Sequence, residues 1–170
     1  MIPTLIVVVA IFLMSLFVIQ EGERGIVTRF GRLIKDNNEI TRIYEPGLHF
    51  KMPMFDRVNT LDARIQTMDD QSDRFVTSEK KDVIIDSYVK WRIKDFGQFY
   101  LATGGGNILT AEALLQRRVS DGLRAEIGST TVKELVSEKR EEVMAAVLLD
   151  SQDGTGDLGI EVIDLRIKKI

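Results

Sequence analysis

The sequence predicts an α+β protein tethered at its N terminus: a transmembrane helix, then one water-facing domain in which helices pack on an antiparallel sheet. Three observations carry that expectation. All 23 basic and 26 acidic side chains of the 170-residue chain lie after Gln20, so the first twenty positions suit lipid and the remainder suits water. Hydrophobic spacing follows period two up to about residue 93 and a helical period between about 95 and 147. A final β-branched run closes the chain, and strands, then helices, then a strand indicate α+β, not a parallel βαβ sheet.

The expected anchor occupies residues 1–20 and the domain residues 21–170. Residues 2–19 carry no charge. As a helix they would span about 27 Å, close to the ~30 Å hydrocarbon core of a bilayer. Their β-branched content suits a strand in water, but a lone segment in lipid must satisfy its own backbone, which favours helix. A cleaved signal peptide would show a basic start and a small-residue cleavage pattern. Nothing basic precedes the run, and Gln20-Glu21-Gly22-Glu23-Arg24 follows it.

Within the domain, Gly25-Ile26-Val27-Thr28-Arg29-Phe30-Gly31 reads as a short strand bounded by glycines. The clearest strand covers 82–93, with Val83, Ile85, Val89, Trp91 and Ile93 on one parity and Asp82, Asp86, Lys90 and Arg92 on the other. A short helix is expected over 95–102, and Thr103-Gly104-Gly105-Gly106-Asn107 breaks it. A second helix covers 108–127, with Ala111, Leu115, Val119, Leu123 and Ile127 every four residues and Gly128 as its stop. A third begins at the capping box Thr131-Val132-Lys133-Glu134 and runs through Val143 and Val147. Residues 150–157 read as a polar loop, and 158–170 as a strand whose apolar parity shifts between Val162 and Ile163, the mark of a bulge or of two-sided burial.

Composition narrows the function. Net charge of −3, pI near 5.3 and interleaved charges argue against nucleic acid. Without cysteine there is no disulfide, thiolate nucleophile or cysteine metal site. The single histidine, His49, sits between turn residues and cannot alone build a zinc site or triad, and no Gly-x-Ser-x-Gly elbow is present. Gly104-Gly105-Gly106 lacks the spacing and lysine of a phosphate loop. No catalytic residue, metal or cofactor is therefore expected. A hydrolase would need a nucleophile–base pair that the sequence does not display.

Leu48, Phe50, Met52, Met54 and Phe55 surround two prolines in a chain that starts with an apolar run. Two readings stand: core strands, or a hairpin tip dipping into the lipid interface with Lys51 and Arg57 near the headgroups.

Several segments together carry a family resemblance. Glu21-Gly22-Glu23-Arg24-Gly25, then Arg29-Phe30-Gly31, resembles the opening of the stomatin/prohibitin/flotillin/HflK–HflC (SPFH, band 7) family. Tyr44-Glu45-Pro46-Gly47-Leu48-His49-Phe50 is similar to that family's Pro-Gly-Leu-His segment, and Leu61-Asp62-Ala63-Arg64-Ile65-Gln66 and Leu158-Gly159-Ile160-Glu161-Val162-Ile163-Asp164 also match. The resemblance implies a non-enzymatic scaffold in the bacterial inner membrane with its domain on the periplasmic side. It implies an HflK-like paralogue as partner in a hetero-oligomeric ring or cage, and a restrained FtsH-like AAA+ protease. It also implies a long charged, alanine-rich helix after this domain, which the sequence does not contain.

Overall fold

The computed structural model describes residues 11–36, 40–137 and 140–169. These fall into two compact units, one ending at Arg64 and the other beginning at Ile65.

In the first unit, β1 (Leu16–Ile19) pairs antiparallel with β5 (Gly47–Phe50). The second sheet is built on β2 (Glu23–Arg29). Strand β6 (Asp56–Asp62) runs along one edge of β2 for its full length, while β3 (Arg32–Leu33) and β4 (Ile43–Tyr44) share the other. Among the described residues of this unit, Ile19, Ile26, Val27 and Leu61 are the buried apolar side chains. Gly25 makes room for them, since a Cβ there would lie 2.3 Å from Ile19 Cδ1.

The expected anchor is corrected at its C-terminal end. Residues 11–14 are helical, but Leu16–Ile19 is strand, because its backbone finds a partner in β5 and Val18 and Ile19 are β-branched. Residues 1–10 of the expected anchor lie outside the described residues. Among the described residues no helix is long and apolar enough to cross a membrane.

In the second unit, β7 (Gln66–Val76), β8 (Asp82–Ile93) and β9 (Ile160–Lys169) form an antiparallel sheet with β8 central. Strand β8 alternates as expected: Val83, Ile85, Val89, Trp91 and Ile93 are buried, and Ser87 joins their row. Trp91 stacks on Phe99, ring centroids 6.3 Å apart. The bulge is in β9: Trp91 pairs with Val162 and Lys90 with Asp164, leaving Ile163 extra. That residue turns the apolar parity from Val162 to Leu165 and Ile167, all three buried.

Helix α1 (Phe96–Ala102) starts at Asp95, whose carboxylate accepts from the Gln98 N–H at 2.9 Å. The break that follows uses positive φ at Gly104, Gly105 and Gly106. Helix α2 (Ile108–Ser129) is capped by Asn107 and continues through Gly128, so its stop is extended Thr130 and not that glycine. The capping box opens α3 (Val132–Val136), but the expected third helix divides. Ser137 turns extended, its hydroxyl donates to the Glu134 carbonyl, and helix resumes as α4 (Arg140–Thr155); Glu138 and Lys139 lie outside the described residues. The expected loop at 150–157 is mostly helix, ending in a 3₁₀ turn, Gly156–Leu158. Its small polar side chains continue the buried row: Val143, Val147, Ser151 and Thr155 step by four along one face.

Gly159 joins that turn to β9 at φ +69. Its carbonyl accepts from the Lys94 and Asp95 N–H groups at 2.9 and 3.1 Å. A Cβ here would lie 2.4 Å from the Asp95 carbonyl oxygen and 2.7 Å from the Phe99 nitrogen, both backbone. Gly159→Ala is therefore expected to cost about 2 kcal/mol or more in urea denaturation followed by circular dichroism, from left-handed strain plus backbone displacement. Gly156→Ala, with nothing within 4 Å of its Cβ, is the control and should stay within about 1 kcal/mol.

Candidate membrane-facing surface

Among the described residues, the first unit exposes far more large apolar side chains than it buries. Against four in the core, Ile11, Phe12, Leu13, Met14, Val18, Phe30, Ile40, Ile43, Leu48, Phe50, Met52, Met54 and Phe55 are exposed. Scattered exposure is ordinary, but contiguous exposure marks a contact surface. Most of these residues meet at one end of the unit.

Two turns build that end. The first joins β2 to β3, with Arg29 and Arg32 paired across a two-residue loop. Phe30 has φ +50 and Gly31 φ +77, the primed geometry that matches strand twist and normally takes Asn-Gly. A phenylalanine there is strained, and it is 78% exposed. The second turn joins β5 to β6. The Asp56 N–H donates to the Met52 carbonyl at 3.1 Å, and the Met52 N–H donates to Asp56 Oδ2 at 2.9 Å, closing the turn from both ends. At its apex Met54 has φ +76 and is 97% exposed.

The two turns are tied together. Arg29 donates from Nε to Asp56 Oδ1 at 2.7 Å and from Nη2 to Oδ2 at 3.0 Å, a fork-to-fork pair. Above this pair the Phe30 and Phe55 rings lie 5.4 Å apart. On the other flank, the Lys51 N–H donates to the Ser15 carbonyl at 2.8 Å, and the Phe12 and Phe50 rings approach to 6.0 Å. The apolar side chains thus form one tip, anchored by strand pairing and one ion pair.

All five candidate residues are exposed. Leu48 pairs with Val18, also exposed, and Phe50 with Leu16 across the β1–β5 ladder. Between them His49 points to the opposite face, 5.2 Å from the Tyr44 ring and 5.6 Å from Phe17, with Nε2 2.6 Å from the Glu45 carbonyl oxygen. Sequence reading missed Phe30 and Phe12. The signal for Phe30 was present: an aromatic followed by glycine, flanked by Arg29 and Arg32, is a hairpin turn with an out-of-place apolar residue. Phe12 was hidden inside the expected anchor.

A family comparison bears on the whole chain. The SPFH domain / Band 7 family pattern matches residues 17–170. The chain belongs to that family. Within the SPFH family it is 59% identical to "Protein HflC" of Vibrio parahaemolyticus, over all of this chain and 61% of that protein. It is 50% identical to "Protein HflC" of Haemophilus influenzae, over all of this chain and 59% of that protein. It is 46% identical to "Modulator of FtsH protease HflC" of Escherichia coli, over 99% of this chain and 62% of that protein. The chain therefore spans about three fifths of the length of these SPFH relatives.

The Arg29–Asp56 pair has a pH signature. Hydrogen bonds from Arg29 hold the Asp56 carboxyl below its ordinary 3.8; partial burial opposes them, and the Met52 N–H and the charges of Arg29 and Lys51 assist. A carboxyl depressed on folding contributes stability that is complete above its unfolded value and lost as pH falls through its folded value. The protection factor of the Met52 amide, its exchange relative to an unstructured amide at the same pH, should therefore stay constant from pH 7 down to about 5 and fall as pH drops below the ordinary carboxylate range. In Asp56→Ala, which removes the acceptor, the same amide is expected to lose that protection at every pH, which hydrogen-exchange NMR would read directly.

Proposed function

We propose that this chain is a membrane scaffold subunit of the bacterial inner membrane that assembles with an HflK-like paralogue and restrains an FtsH-like AAA+ protease. The carrying observation is the exposed apolar tip of the first unit, two strained turns presenting Phe30, Met54 and Phe55. The name of the Escherichia coli relative, a modulator of FtsH protease, supplies the partner.

The tip docks the unit on the bilayer beside an apolar N-terminal anchor, with the domain on the periplasmic side. Each large side chain moved from water into the acyl boundary contributes about 1.5–3 kcal/mol when fully buried. Three or four such residues hold the domain flat on the membrane. Side-by-side subunits then enclose an area of bilayer, and the enclosure limits which membrane substrates reach the protease. Closing such a ring requires heterologous contacts between neighbours. The role is steric, and no step of it needs a nucleophile or a metal.

The test is an affinity pull-down of the tagged protein from native membranes in mild detergent, read by mass spectrometry. The expected result is an HflK-like partner and an AAA+ protease near stoichiometry. Recovery of neither, from material that remains folded and assembled, would sink the protease link and leave a lipid-organising scaffold, which the apolar tip also supports. In cells, Met54→Asp with Phe55→Asp is expected to shorten the half-life of membrane substrates of the protease while leaving the variant's own abundance unchanged.

A further inference from the structure

The apolar tip carries a second pattern, in charge. Each of its turns is bracketed by cations: Arg29 and Arg32 flank Phe30–Gly31, and Lys51 and Arg57 flank the turn 52–56. One carboxylate, Asp56, lies in this group, and Arg29 occupies both of its oxygens. No carboxylate among the described residues pairs with Arg32, Lys51 or Arg57. The distribution along the sheet is uneven. Glu23 and Asp62 face each other at the opposite end of the β2–β6 ladder, about 20 Å away at the rise of an extended strand.

The cations also lie on both faces of the sheet. Arg32 pairs with Arg29, which pairs with Asp56 on one face; Arg57 pairs with buried Thr28 on the other. Lys51 is close enough to Asp56 to help hold its carboxyl down. Arg32 and Arg57 are exposed and Lys51 is half-buried. A cation whose stem lies along an apolar surface places its charge at the water boundary of whatever receives that surface.

We infer that the tip is an anionic-phospholipid site, in which Phe30, Met54 and Phe55 enter the acyl boundary while Arg32, Lys51 and Arg57 receive phosphate-bearing headgroups of net negative charge. This rests on the membrane-docking reading above and adds a lipid class to it. Asp56 has a defined part: by taking Arg29 it fixes the turn, and both of its oxygens are then engaged, so that Arg32, Lys51 and Arg57 have no ion pair among the described residues. Charge complementarity favours an anionic lipid over a zwitterionic one, because a phosphatidylcholine headgroup brings its own cation to the same boundary. Basic residues near an anionic leaflet each strengthen attachment, and the effect fades within a Debye length.

The test uses the full chain, which has no cysteine, so Met54→Cys takes one environment-sensitive dye at the apex. The labelled protein is placed in nanodiscs of phosphatidylcholine with 30 mol% phosphatidylglycerol, with bromine quenchers on the acyl chains of either one lipid or the other at equal mole fraction. The expected result is quenching at least about threefold stronger from brominated phosphatidylglycerol. That ratio should fall to one in about 1 M salt, and also when Arg32→Gln, Lys51→Gln and Arg57→Gln are combined in a variant with an unchanged melting temperature. Equal quenching by the two lipids in the parent protein would overturn the anionic-lipid inference and leave docking intact. Quenching by neither would overturn both, whether the dye reports water or a protein environment.

Discussion

Strand β8 carries the second unit because both of its edges are hydrogen-bonded and alternate side chains enter the core. A strand so placed has no freedom of register: a shift of one residue would put Asp86 and Lys90 where Ile85 and Val89 sit. Everything else in that unit accommodates to it. Strand β9 meets it with a bulge at Ile163, and Gly159 lets the chain turn into β9 while its carbonyl receives the Lys94 and Asp95 amides that follow β8. Strand β2 has the same role in the first unit, paired along its full length by β6 and at two places on the other edge. The difference lies in what each strand organises: β8 organises a core, and β2 organises a surface.

The surface carries its own signs of purpose. Phe30 and Met54 are both held at positive φ, where bulky side chains are uncommon, and both stand in water. Either feature alone is unfavourable, and each persists only where the surroundings over-determine it. Here the surroundings are the hydrogen bonds of the 52–56 turn and the Arg29–Asp56 fork. Moving these side chains out of water, as the proposed docking would, offsets the cost of holding them at positive φ.

Much of the second unit was legible in the sequence because its signals are local. Period two over 82–93, the Thr131–Glu134 capping box and the parity change at Ile163 each specify geometry within a few residues. What stayed hidden depended on partners distant in sequence. Leu16–Ile19 belongs to an uninterrupted apolar run, and only β5, some thirty residues on, makes it a strand. The run 150–157 has the composition of a loop, yet Ser151 and Thr155 are small enough to extend the buried row of α4. At the tip, the composition of 48–55 was plain but its exposure was not, since alternation suits a core strand equally well. The contribution of Phe30 depends on a ring contact with Phe55, which no periodicity encodes.

Trp91 is the chain's one tryptophan, and it is wholly buried against Phe99 in the second unit. Intrinsic indole emission is therefore an optical channel belonging to that unit alone. It will follow the integrity of the β8 core through heating or denaturant and stay blind to events at Phe30, Met54 and Phe55. The two units can thus be watched in separate colours, one by the protein's own fluorescence and the other by a dye.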